Sequence, residues 1–397
     1  MARVTVVAVL AVAVVALAQC AAGQAFLNVW PPAQSLQCTG SDVRKLSQHF
    51  TISSSQAQLN SVAARYKSVI SNIVDTNNAW APENSKNALT GIVLNLSQSQ
   101  GASGNTDSDL ASDSTEAYTV STNNNDLVVH TPSLAGAVYA LETIAQILAQ
   151  SKGAIPCSQL QVTDAPALAH RGIVLDVASR YFDLATIHDL IDSMAMLKFN
   201  ALGLHFSDFG AFRAATDYND LTDDLNGMYP GHVLKHLTTY AADRGITLSP
   251  HLELPTHASG FAPLDDVFFC TPTEPTVANS VLNNDDSTSS VLQQVMANVA
   301  ERFDSPLTFV GGAGIGETHG NCSAADVQKI FMSAFNTAHV AQKQVAVWEE
   351  AVQYLDNSPK DTIAYAVPTT DLTDLTIPTV VSGDRSQNAL LPSLPFA

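Results

Sequence analysis

Carboxylates, imidazoles and an indole recur at the ends of short apolar runs in the second half of the chain. His205-Phe-Ser-Asp208 closes one run, His251-Leu-Glu253-Leu-Pro-Thr-His257 a second, and Trp348-Glu349-Glu350 a third. The stretch Thr308–Cys322 leaves its apolar start through four glycines and delivers Glu317, His319 and Cys322. Apolar residues followed by glycines read as a buried strand ending in a tight loop. Any one of these polar residues alone is more simply a solvated surface group. Four strand ends carrying acids or imidazoles are another matter, because parallel strands closing into a barrel bring such ends to one cavity. Acids crowded there have raised pKa values and donate protons near neutral pH. Indole and phenol rings nearby offer a flat wall to a sugar face. The chemistry indicated is cleavage of a glycosidic bond. No Gly-x-Ser-x-Gly elbow and no phosphate-cradling Gly-Lys-Ser/Thr loop occurs in the chain, which turns the reading away from esterases and phosphatases.

The elements that must position these groups follow from periodicity. From Arg171 onward strands and helices alternate. Strands are predicted at Gly172–Val177, Asn200–Phe206, Ile246–Leu254, from Thr308, and at Val345–Glu350, Thr362–Val367 and Thr379–Val381. The helices between them are Thr186–Phe199, Val233–Arg244, Val291–Phe303 and Ala324–Gln342, and Gly245 is placed to end the second. Such alternation means parallel strands joined by right-handed crossovers. The predicted fold class is α/β, a (β/α)8-type TIM barrel, incomplete, preceded by a small α+β domain. In that first domain, helices are predicted at Gln56–Val74 and Leu134–Gln150, and short strands at Thr90–Leu96, Ala117–Val120 and Leu127–Val129. The polar stretch Ser97–Asn125 is read as long loops and Val162–Pro166 as the linker.

Residues 1–25 carry one early cation, Arg3, then an apolar run from Val4 to Ala18 and small residues to Ala25, the pattern of a secretory signal peptide. The run is shorter than the roughly 20 residues that span a bilayer, and no later stretch is long and apolar enough to do so. The domains predicted are therefore 1–25, signal peptide; 26–165, the α+β domain; and 166–397, the barrel. The net charge of −19, or −20 without Arg3, argues against nucleic acid and anionic membranes as partners. Of five cysteines, Cys20 leaves with the signal. Cys38, Cys157, Cys270 and Cys322 remain, an even number in an exported chain, with three pairings open. Pairing within domains gives Cys38–Cys157 and Cys270–Cys322. Their spacing does not resemble a zinc site, and no metal or cofactor is called for. Asn95 and Asn321 open glycosylation acceptor triplets.

The block His170-Arg171-Gly-Ile-Val-Leu-Asp-Val-Ala-Ser-Arg-Tyr-Phe182, followed by Ile191–Leu202, resembles the start of the barrel in β-N-acetylhexosaminidases of glycoside hydrolase family 20. Asn28-Val-Trp-Pro-Pro32 and Gly136–Thr143 resemble landmarks of that family's N-terminal domain. The resemblance implies a retaining mechanism in which the substrate's own 2-acetamido oxygen attacks C1, one of the exceptions to the two-carboxylate scheme. It casts Glu317 as acid/base, His257 as the imidazole that orients it, and Asp208 as a supporting acid. Arg171 would grip the outer hydroxyls, with Trp348 and Glu350 lining the substrate site. The expected substrate is a glycan or glycoconjugate ending in N-acetylhexosamine. The expected compartment is the secretory pathway, extracellular or lysosome-like, and a homodimer is one assembly the reading allows.

The departures from the family pattern also carry expectations. Gly316 stands where the family has the Asp that polarises the acetamido group, and Gly203 and His251 replace a His and an acid. The chain reaches Ala397 without the family's later Tyr and Trp pocket elements or an eighth strand. Weakened activity is one expectation, and a non-catalytic sugar-binding protein on the same scaffold is the alternative.

Overall fold

Two hydrophobic clusters, one in each half of the chain, organise the molecule. The computed structural model describes residues 27–97, 116–208, 211–214, 227–264, 266–271, 280–303, 305–355, 362–366 and 379–381. The predicted signal segment 1–25, with Cys20, lies outside them.

The first half is a seven-stranded sheet of β1 (Ser35–Thr39), β2 (Arg44–Ser54), β3 (Leu89–Leu96), β4 (Tyr118–Asn123), β5 (Asp126–Thr131), β6 (Ala154–Ile155) and β7 (Gln159–Asp164). Their order is β1-β7-β4-β5-β3-β2-β6. Helix α1 (Asn60–Thr76) turns Val62, Tyr66, Ile70 and Val74, one on every fourth position, inward, each such side chain contributing about 2 kcal/mol of burial. Helix α2 (Leu134–Gln150) is capped by Ser133, whose hydroxyl accepts from the Gly136 amide. Its residues Gly136–Ile144 are buried all round, because one side meets the sheet and the other meets the second half. Strands β1, β2 and β7 had no clear sequence signal: their polar residues alternate at sheet positions where only every second side chain enters the core. β7 occupies most of the predicted linker, and β4 carries the predicted strand Ala117–Val120 three residues further into the predicted loop stretch.

Among the described residues the second half contains seven parallel strands: β8 (Gly172–Asp176), β9 (Ala201–Asp208), β11 (Thr247–Leu254), β12 (Leu307–Gly311), β13 (Gln344–Trp348), β14 (Ile363–Ala366) and β15 (Thr379–Val381). A two-residue strand, β10 (Ala211–Phe212), turns back on β9. Between the parallel strands run α3 (Leu184–Met196), α4 (Gly231–Ala242), α5 (Asp286–Arg302) and α6 (Ala324–Val340), with a short α7 (Glu349–Val352) after β13. Side-chain caps start three of them: Asp183 and Asp285 accept from backbone amides, and Ser323 with Asp326 forms a capping box, each such cap contributing about 1 kcal/mol. Gly245, at φ +72°, ends α4 as predicted.

The described sheet is an incomplete TIM barrel, as expected. Its edge strand β8 pairs only with β9 among the described strands, and Val174 is 51% exposed. The central strands β11 and β12 are buried almost throughout.

Both expected disulfides are present, Cys38–Cys157 and Cys270–Cys322. The first closes a separation of 119 residues within the first half, so loop-closure entropy alone gives it about 5 kcal/mol.

Candidate active site

The C-terminal ends of β9, β11, β12 and β13 gather His205, His251, Glu253 and Trp348 with the loop Gly312–Glu317. Glu253, 5% exposed, is the innermost acid. Its Oε2 accepts from the Trp348 indole at 2.8 Å, and its Oε1 accepts from the Ala313 amide at 3.4 Å. Burial pushes its pKa above the usual carboxylate range, while His205 and His257 pull it back. Glu350 holds the next amide of the loop, Oε1 accepting from Gly314 N at 3.0 Å. Two carboxylates thus grip two successive amides. Gly311 makes this possible: its φ is +80°, and a Cβ there would lie 2.5 Å from Glu253 Oε1.

His251 is buried and stacked on Phe309, ring centroids 4.7 Å apart, with Nε2 3.2 Å from the Ser249 hydroxyl. It occupies the space over Gly203, where a Cβ would meet its ring at 2.4 Å. The two departures singled out in the sequence are therefore one packing solution. The imidazole comes from β11, and β9 supplies a glycine to make room for it. Burial and the neighbouring His205 and His170 push the His251 pKa down to about 3. Above its usual value near 6.5 the imidazole is neutral whether the chain is folded or not. As pH falls from there toward 3 the unfolded chain takes the proton first, so stability drops by up to about 1.4 kcal/mol per pH unit. Glu253, raised on folding, acts with the opposite sign and loses stability as pH rises. The urea midpoint of His251→Asn should therefore fall less steeply between pH 6 and 4 than that of the parent chain. Parallel slopes would contradict the assignment.

The predicted site residues divide. Trp348 and Glu350 stand at this mouth, the indole edge-on to Phe309 at 5.0 Å. His257 follows β11, exposed and at φ +55°. Asp208 ends β9, where its backbone pairs with Ala211, and its side chain lies outside what is described. Glu317 is exposed and lies beyond the turn 313–316, with its amide bonded to Gly314 O at 3.1 Å. Asn321 is exposed in the turn beside Cys322, whereas Asn95 sits half-buried on β3.

Arg171 requires correction. It precedes β8 and so lies at the opposite end of the sheet from Glu253 and Glu317. Its guanidinium is spent on protein: Glu116 at 2.7 Å, the Tyr139 hydroxyl at 3.0 Å and the Lys198 carbonyl at 2.7 Å. It fastens the barrel to the first domain. The arginine that follows the C-terminal end of β8 is Arg180, exposed and 5.5 Å from the Phe182 ring centre. The strand boundary at Gly172 is the signal that separates the two, since only residues after Asp176 can reach the mouth.

Sequence reasoning passed over Tyr354 and gave His319, delivered by the same loop, no role. His319 Nε2 lies 3.1 Å from the Gly314 carbonyl. The Tyr354 hydroxyl fills the place of any side chain at position 316, where a Cβ would lie 2.0 Å from it. Gly316→Asp can enter only by swinging this phenol off the barrel core, against which it packs. It should cost about 1–3 kcal/mol and leave turnover no higher than in the parent. A gain in turnover without loss of thermal stability would refute this.

A parallel barrel-type sheet with acids, imidazoles and aromatic rings at its C-terminal strand ends, preceded by an α+β domain, is an architecture that suits a glycoside hydrolase. Residues 168–375 match the glycosyl hydrolase family 20 catalytic domain, and residues 27–165 match domain 2 of the same family. The chain belongs to glycosyl hydrolase family 20. It is 24% identical over 294 residues to a beta-hexosaminidase of Vibrio furnissii, covering 63% of this chain and 48% of that protein. It is 28% identical over 158 residues to the beta-hexosaminidase alpha subunit of Mus musculus, covering 38% and 30% respectively. The chain thus spans about half or less of the length of these relatives. Among solved structures, the family 20 β-N-acetylhexosaminidase of Streptomyces coelicolor A3(2) superposes with a TM-score of 0.63 at 18% identity, over 86% of this chain and 70% of that one. The Bacteroides fragilis β-N-acetylhexosaminidase gives 0.65 at 20% identity, over 85% and 70%. These structural likenesses support the fold.

Proposed function

We propose that the chain is part of an exported glycosidase that removes terminal β-linked N-acetylhexosamine, GlcNAc or GalNAc, from glycans or glycoconjugates. What carries the reading is the family match across both halves, joined to one mouth where Glu253, Trp348 and Glu350 meet the loop bearing Glu317. The route is substrate-assisted and retaining. The 2-acetamido oxygen bonds to C1 as the leaving oxygen departs with a proton from Glu317. Glu317 then takes a proton from a water that attacks C1 from the face just vacated, and the C1–acetamido oxygen bond breaks to restore the 2-acetamido group. Glu317 is exposed, so its carboxyl is open to an incoming glycosidic oxygen. Trp348 and Tyr354 offer the ring face its wall, Arg180 replaces Arg171 as the cation for outer hydroxyls, and His257 orients the acid. No carboxylate stands at Gly316 to polarise the acetamido group, a kind of loss that costs roughly 10²–10³ in rate, so turnover is weak. Export follows from the signal-like residues 1–25.

The test is hydrolysis of a β-GlcNAc glycoside by the purified chain, with the anomer of the first-formed sugar read by proton NMR. β-GlcNAc supports the route. α-GlcNAc overturns the mechanism. Sugar binding without turnover moves the protein to the binding class.

A further inference from the structure

Away from the barrel mouth, two imidazoles face each other across the first pair of barrel helices. His188 on α3 and His236 on α4 place their Nε2 atoms 3.1 Å apart, with the rings inclined at 67°. A tetrahedral or octahedral transition-metal ion bound by two imidazoles at about 2.0–2.1 Å sets their nitrogens roughly 2.9–3.4 Å apart. The observed spacing falls within that span, so neither helix need move to admit an ion.

The His188 ring is held in place. It stacks on Tyr240 at 4.0 Å, and the Tyr240 hydroxyl donates to Asp192 Oδ2 at 2.9 Å. Asp192 lies one turn beyond His188 on α3 and also takes the Arg244 guanidinium. Such outer partners fix a ligand's orientation. His236 is exposed, so the remaining coordination positions open to water. The facing imidazole and Arg244 oppose positive charge at His188, and Asp192 and Asp189 partly offset them. Among the described residues no group of three or more His, Cys, Asp or Glu is arranged to hold an ion. A two-imidazole site is smaller than that.

We infer that His188 and His236 together bind a divalent transition-metal ion, zinc, nickel or copper in class, that clamps α3 to α4. Imidazole ligands select these metals over magnesium and calcium, which take oxygen. Such an ion would tie together the two helices that flank β9 without touching the catalytic mouth.

The experiment uses the full chain without a polyhistidine tag. Zinc is titrated calorimetrically, and copper is followed by electron paramagnetic resonance, for the parent, His236→Gln and His49→Gln. His49 is an exposed histidine of the first domain and serves as the control. The expected result is one saturable zinc equivalent in the parent and in His49→Gln, lost in His236→Gln, with copper showing hyperfine coupling to two nitrogens. Magnesium should give no heat. Loss of binding on His236→Gln with an unchanged circular dichroism spectrum supports the site. Zinc binding undiminished in His236→Gln, or no uptake by the parent at millimolar zinc, overturns it and leaves the pair as an N–H···N hydrogen bond.

Discussion

Glu317→Gln should lower turnover of an unactivated β-GlcNAc alkyl glycoside by about 10²–10⁴ while KM changes little. An alkoxide leaves poorly and needs its proton during bond cleavage, so the choice of substrate matters. A nitrophenolate leaves unaided, and the loss on that substrate should be much smaller. The contrast between the two leaving groups is the signature of a missing acid, which a merely misfolded loop would not give. Glu253→Gln provides the comparison. Glu253 uses both oxygens, on Trp348 and on the Ala313 amide, and an amide side chain can serve only one of those donors. That variant should depress both substrates alike, by displacing the loop and the indole. If Glu317→Gln keeps parental turnover while Glu253→Gln shows the leaving-group contrast, proton transfer belongs to the buried acid and the proposed role of Glu317 is wrong.

Lys198→Met should cost about 3–5 kcal/mol of stability, the largest loss expected from one substitution outside the hydrophobic clusters. Lys198 is 4% exposed, just past the C-cap of α3, and reaches into the first domain. Its ammonium donates to Asp164 Oδ2 at 2.8 Å and to the Tyr118 hydroxyl at 2.9 Å. Tyr118 in turn donates to Asp164 at 2.8 Å and pairs with Thr143 at 2.7 Å. Removing the ammonium alone leaves a buried carboxylate without its counter-charge. Removing both charges, in Lys198→Met with Asp164→Asn, should recover much of the loss, because the pair's mutual attraction is largely cancelled by its desolvation. Urea unfolding of the two single variants and the double supplies the cycle. A Lys198→Met cost under 1 kcal/mol would show that the buried pair contributes little.

Beside this cluster lies the second fastening, Arg171 with Glu116, Tyr139 and Asn200. It explains why the reading of Arg171 as a sugar anchor failed. A guanidinium beside an apolar strand has the same appearance in sequence at either end of that strand. Only the strand direction says whether it faces substrate or the neighbouring domain. The same ambiguity affected Glu317. Its loop was legible from four glycines, but glycine spacing does not reveal that Glu253 and Glu350 hold the amides of Ala313 and Gly314.

The barrel half was readable because its central strands are buried on both faces and therefore appear as largely apolar runs. β11 and β12 are buried almost throughout, and the helices between show stripes at three-and-four spacing. The two disulfides followed from an even cysteine count divided between the halves. In the first domain, α2 was legible to the residue, while β1, β2 and β7 were not, since polar residues on a half-solvated sheet leave weak periodicity.

The sequence by itself determined the order of strands and helices, because burial demands apolar residues at fixed periods along the chain. It also determined which residue types stand at the strand ends. Tertiary structure alone decided which of those groups meet. Gly203 makes room for His251, Tyr354 occupies the space beside Gly316, and Arg171 turns away to the first domain. Those outcomes depend on distances between residues far apart in the chain, which pack as solid neighbours and leave no trace in local periodicity.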